Sequence, residues 1–113
     1  MDFLSKEILS SISDVPEKVI EIPEWNAKIK VQGISKKTQV ELARIATDEN
    51  KDAFDYQKAL LKVSVVEPKL DDELIEEMYE KSASVIDNIF VEIADMNGIS
   101  EEKQAEMSDE FQE

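Results

Sequence analysis

The stretch Ile22-Pro23-Glu24-Trp25, running on into Asn26-Ala27-Lys28-Ile29-Lys30-Val31, sets the tightest limit on what this chain can fold into. On its N-terminal side Ile20 and Ile22 alternate with Val19 and Glu21. On its C-terminal side Ile29 and Val31 alternate with Lys28, Lys30 and Gln32. Period-two alternation on both sides of a Pro-containing connection predicts two strands, residues 18–22 and 28–32, joined through Pro23 to Ala27. A lone two-stranded hairpin is marginal in water. Its apolar face must therefore lie against helices or against another chain.

Helices are what the rest of the sequence supplies. Leu4, Ile8, Leu9 and Ile12 fall at helical spacing, which predicts a short amphipathic helix over residues 3–13. Asp14-Val15-Pro16 stops it, since proline disfavours the helical conformation of the residue before it. Ser35 is a natural N-cap for a helix over residues 36–47, with Val40, Leu42, Ala43, Ile45 and Ala46 on a broad apolar side. A third helix is expected over residues 52–66, ended by Glu67-Pro68. Its last part, Leu60 to Val66, also reads as strand because it is rich in β-branched residues. Asp71-Asp72-Glu73 opens a fourth helix, acids in a first turn suiting its positive dipole end. Lys81 to Ser84 break or weaken it. Val85, Ile86, Ile89, Phe90, Ile93 and Met96 then make the strongest helical stripe in the chain, and Gly98 ends it.

The expected architecture is α+β: an N-terminal antiparallel β-hairpin packed on a mainly helical body of four to five helices. The 113 residues read as a single domain. It divides into an N-terminal helix (1–16), the hairpin (17–33), the helical body (34–99) and an acidic tail (100–113). That tail carries six acids and one lysine, the composition of a frayed or disordered segment.

Charge and composition narrow the function. Against 27 acidic residues stand only 13 basic ones, a net charge of −14. Such a surface repels phosphate backbones and anionic lipid, so neither nucleic acid nor membrane is an expected partner. Cysteine and histidine are both absent. Their absence removes disulfides, thiolate metal sites, the commonest general base and the commonest zinc ligand. The start of the chain carries acids and no long apolar run, so no signal peptide is read there. No apolar run approaches the roughly 20 residues that a membrane span needs. The expected location is the cytoplasm.

No residues assemble into a catalytic motif. Asp71-Asp72-Glu73 and Glu76-Glu77 are acids of the kind that hold magnesium, but the loop spacing and glycine turn of a calcium site are missing. They read as a solvated helix face, and no cofactor is expected. Trp25 carries two readings, a side chain folded back onto the small core and an exposed anchor for a partner. The 85–96 stripe reads as core, with self-association as its second reading. The acidic end reads as a solvated tail or as a docking segment for a basic partner. Candidate partner-binding residues are accordingly Trp25, Glu106, Asp109, Glu110 and Phe111.

Three phrases carry a resemblance: Val19 to Trp25 leading into Lys28 to Ser35, Leu60 to Leu70, and Ile89 to Ser100. In order, spacing and total length they resemble the tail assembly chaperones of long-tailed bacteriophages and prophages of Gram-positive hosts. The resemblance spans about residues 18 to 103. It implies a non-catalytic protein of the bacterial cytoplasm, absent from the mature virion. Its partners would be the tape measure protein, which it keeps soluble, and the major tail (tube) protein, which it helps to recruit. In many members of that family a ribosomal frameshift appends a second domain, and this chain would be the shorter product. The helix at residues 3–13 matches no feature of the family, and self-association through it stays open, so a homo-oligomer is among the expectations. The competing reading is an acidic DNA mimic that inhibits a host DNA-binding protein. Against it, a mimic needs carboxylates arrayed like phosphates, whereas many acids here are interleaved with lysine. A metal-dependent enzyme built on Asp71 to Glu77 is the remaining alternative.

Overall fold

The computed structural model describes residues 1–98. Its elements run α1 (Lys6–Ser11), β1 (Glu17–Ile22), β2 (Ala27–Gln32), α2 (Lys36–Ala46), α3 (Ala53–Ser64), β3 (Val65–Glu67), α4 (Asp72–Tyr79) and α5 (Ala83–Met96). A 3-10 turn over Pro23–Trp25 joins the first two strands. The fold is α+β with a mainly helical body, as the two periodicities predict.

The sheet has three strands in the order β1-β2-β3, each pair antiparallel. In the β1–β2 register Ile20 faces Ile29 and Glu21 faces Lys28. The alternation does what it must: Ile20, Ile22, Ile29 and Val31 are buried on one face. The other face is open and charged, with Lys30 3.6 Å from Glu17. Opposite charges across neighbouring strands add modestly to pairing.

The third strand corrects the expectation of a helix through residue 66. The helix stops at Ser64, and Val65 and Glu67 pair with Val31 and Lys30 of β2 across a register shift. Valine loses χ1 freedom in a helix and fits a pleated surface. Here it also meets the otherwise unpaired edge of β2, and tertiary pairing decides the conformation.

Helices cover the apolar face. α5 lies across β1 and β2 and touches α4. Val85, Ile89 and Ile93, four residues apart, are buried with Leu61, Val65, Leu70 and Ile75 in one cluster with the sheet's isoleucines. Phe90 and Met96 are half-buried against it. At the sheet margin Lys18 of β1 pairs with Glu92 of α5.

Side chains cap the starts of α2, α3 and α4. The Ser35 hydroxyl accepts from the Thr38 amide at 3.2 Å. Asp52 and Asp55 form a reciprocal capping box at 2.9 and 3.0 Å. Asp71 accepts from the Leu74 amide at 2.8 Å. Residues 80–82 fully separate α4 from α5. Gly98 closes α5 with φ of 74°, a left-handed conformation that glycine adopts without penalty.

Two helices bury less than their patterns suggest. On α2 only Leu42 is buried, and Val40 is exposed. The reason is position: α2 packs against α3 rather than over the sheet. α1 is shorter than residues 3–13, because Ser5 caps it and Ile12 is already extended. It buries no residue at all.

Candidate partner-binding surfaces

Trp25 is positioned by the hairpin turn. Pro23 fixes the first turn residue, and the Asn26 amide donates to the Pro23 carbonyl at 3.0 Å. Asn26 takes the left-handed conformation, φ 51°, that returns the chain into β2. The indole ends half-buried, packed against the core cluster. Part of its surface joins the core, as the first of the two sequence readings has it, and part stays accessible. Glu106, Asp109, Glu110 and Phe111 lie outside the described residues, so no spatial relation to Trp25 is drawn.

The two aspartates at the start of α4 have local partners. Asp71 caps the helix, and Asp72 pairs with Lys62 of α3. The Lys62 ammonium, hydrogen-bonded to Asp72, holds that carboxyl below the usual aspartate range. Similarly, the Asp52 backbone amide holds the Asp55 carboxyl low. Among the described residues no three His, Cys, Asp or Glu side chains converge as a metal site requires. On the inner side of α3 and α4, Phe54 and Tyr79 stack at 4.7 Å between ring centroids, and Lys58 stands 4.8 Å from the centroid of Phe54. The Tyr79 hydroxyl donates to Gln57 at 2.6 Å, and burial, followed by the charge of Asp87, pushes its pKa up. These contacts tie α3 to α4.

A groove that the sequence reading missed runs along the junction of α3 and β3. It encloses about 570 Å³ and is lined by Val15, Ile34, Val63 and Val66 among others, with Lys62 and Lys69. No carboxylate is among its lining residues. It was missed because it depends on β3. The signal was there in Val63-Ser64-Val65-Val66, a β-branched run before a proline.

Among the described residues, the most exposed large apolar side chains gather in the N-terminal segment. Phe3, Leu4, Leu9 and Ile12 are 99, 71, 60 and 49% exposed. Large apolar side chains gathered in one uncovered segment are uncommon on soluble monomers and mark interaction surfaces. No helix among the described residues is long and apolar enough to cross a membrane.

Comparison with known protein families, with curated proteins and with solved structures yields no match.

Proposed function

We propose that this chain is a non-catalytic tail assembly chaperone of the phage and prophage type. In this reading it binds the tape measure protein, keeps it soluble during assembly and helps to recruit the tail tube protein. One observation carries the reading. The three phrases of the resemblance are far apart in sequence, yet they interlock in space. Val31 of the first pairs with Val65 of the second. The Gln32 side chain donates to the Val63 carbonyl at 3.3 Å. Asn97, in the third, accepts from the Ile34 amide at 2.8 Å. The resemblance thus follows one packed framework rather than scattered surface segments.

The surface chemistry supports the same reading. Net charge −14 keeps a protein soluble while it holds an aggregation-prone partner. Trp25, half-buried at the hairpin tip, retains accessible indole surface to present to a helix. The DNA-mimic reading gains nothing comparable: lysines interrupt the acids on the open sheet face, and Asp72 is paired with Lys62.

The genes flanking this one provide the first test. A tail tube gene upstream and a long, helix-rich tape measure gene downstream are expected. Fragments of that product should then retain the chain in a pull-down with little salt dependence. Salt-sensitive capture by a basic DNA-binding protein, with no tail genes nearby, would overturn the proposal.

A further inference from the structure

We propose that Asn97–Gly98 is a self-modification site, an imide-forming pair that the folded chain holds unreactive and whose conversion to aspartate or isoaspartate loosens the corner between β2, α2 and α5. The proposal is independent of the chaperone reading and starts from the sequence. Asn26, Asn50 and Asn88 precede Ala27, Lys51 and Ile89, whereas Asn97 precedes a glycine. No side chain crowds a glycine nitrogen, and the glycine backbone reaches conformations closed to other residues.

The reaction needs only water. The main-chain nitrogen of Gly98 attacks Cγ of Asn97. A bond forms between them, the Cγ–Nδ2 bond breaks, and the Gly98 N–H proton leaves with the amide group as ammonia. The cyclic imide so formed takes up water at either of its carbonyls. Opening at one gives aspartate. Opening at the other gives isoaspartate, with the main chain rerouted through Cβ and Cγ. Water has access, since Gly98 is exposed and, among the described residues, no heavy atom lies within 4 Å of where a Cβ would stand.

Folding withholds both reacting groups. Oδ1 of Asn97 accepts from the Ile34 amide at 2.8 Å, and Nδ2 donates to the Ile93 carbonyl at 2.8 Å. The Gly98 amide is itself engaged, donating to the Asp95 carbonyl at 3.0 Å. The carboxamide cannot turn toward Gly98 without giving up its two bonds. Two hydrogen bonds of ordinary net strength slow the folded reaction by on the order of tenfold to a hundredfold.

The product does not fit the place that Asn97 holds. Nδ2 is a donor, whereas an ionised carboxylate only accepts. After conversion an oxygen faces the Ile93 carbonyl with no proton between them. The new negative charge also falls at the C-terminal end of α5, where the helix dipole disfavours it and the last turn holds no basic residue. Isoaspartate, with its lengthened main chain, moves the carboxylate off the Ile34 amide as well. A chain that has once opened and reacted at this corner therefore opens there more readily afterwards.

The test follows the unmodified chain at mildly alkaline pH, in native buffer and in urea above its midpoint, by peptide mass mapping with isoaspartate detection. Conversion is expected in the peptide that contains Asn97, ahead of those that contain Asn26, Asn50 and Asn88, and on the order of tenfold to a hundredfold faster in urea. In urea, where no fold is at stake, Gly98→Ala should slow it sharply. Chain converted in urea and returned to buffer should have a lower urea midpoint than chain passed through urea briefly, and Asn97→Asp should shift the midpoint the same way. Equal rates in buffer and urea would overturn the proposal, because folding would then give no protection. So would an unchanged midpoint in both the converted chain and Asn97→Asp, because the corner would then not depend on the amide.

Discussion

Ser64 is fully buried at the last turn of α3, and its hydroxyl finds no hydrogen-bond partner among the described residues. A buried hydroxyl that has given up water without replacement carries a desolvation cost. Ser64→Ala should therefore raise stability by about 1 kcal/mol, read as a higher urea midpoint. A lower midpoint would mean that the hydroxyl bonds to something in solution. Asp72 makes a different prediction. Its carboxyl titrates below the ordinary aspartate value of 3.8, chiefly because of its hydrogen bond to Lys62. A depressed folded-state pKa contributes stability that is complete above the unfolded value and is lost as pH falls through the folded one. Asp72→Asn should thus change the midpoint little at neutral pH, since the pair is exposed, but make the loss of stability in acid less steep. Midpoints measured down through the carboxylate range check this, and an equally steep acid loss in the variant would contradict it. At Trp25 the sequence offered two readings, core packing and an exposed anchor, and the structure shows an indole half-buried against the core. No local pattern reveals such a partition, because it depends on how close the core comes to the turn.

The corner where β2 meets α2 joins three parts of the chain. Pro16 presses on Gly33 from one side, and Asn97 reaches in from the end of α5 to take the Ile34 amide. A methyl group on Gly33 would meet both, at 2.9 Å from Pro16 Cδ and 3.2 Å from Asn97 Oδ1. Neither a proline ring nor a hydrogen-bonded amide yields readily. Gly33→Ala should cost about 1–3 kcal/mol by overpacking, seen as a lower midpoint with an unchanged denaturant slope. An unaffected midpoint would show that the corner is looser than this geometry. Most elements were legible from local chemistry: the hairpin from its alternation, α2 from Ser35, α4 from its acidic start, and α5 from its stripe and Gly98. β3 was not. Its three residues form a run too short for a period, and its conformation is decided by pairing with Val31, more than thirty positions earlier in the chain. The groove went unread for the same reason, since it exists only once β3 is placed. The expected burial on α2 failed differently. Its apolar pattern is real, but the helix lies against α3 rather than over the sheet, so Val40 remains in solvent.

Charge and apolar surface together set the behaviour of the entire chain. With 27 acids against 13 bases, self-repulsion opposes the folded state. Salt shortens the range of that repulsion, so sodium chloride added at neutral pH should raise the Tm. A Tm that falls would mean that attractive pairs such as Lys18–Glu92 outweigh the repulsion. The same excess of negative charge suits the proposed role, in which a protein with exposed apolar side chains would stay soluble while holding another chain. The chaperone proposal turns on that ability and is open to direct measurement. Fragments of the tape measure protein, produced with and without this chain, should differ in soluble yield. The account predicts a soluble complex whose formation shifts the emission of Trp25, the sole tryptophan. Fragments that aggregate equally in both cases, with the emission unmoved, would contradict it.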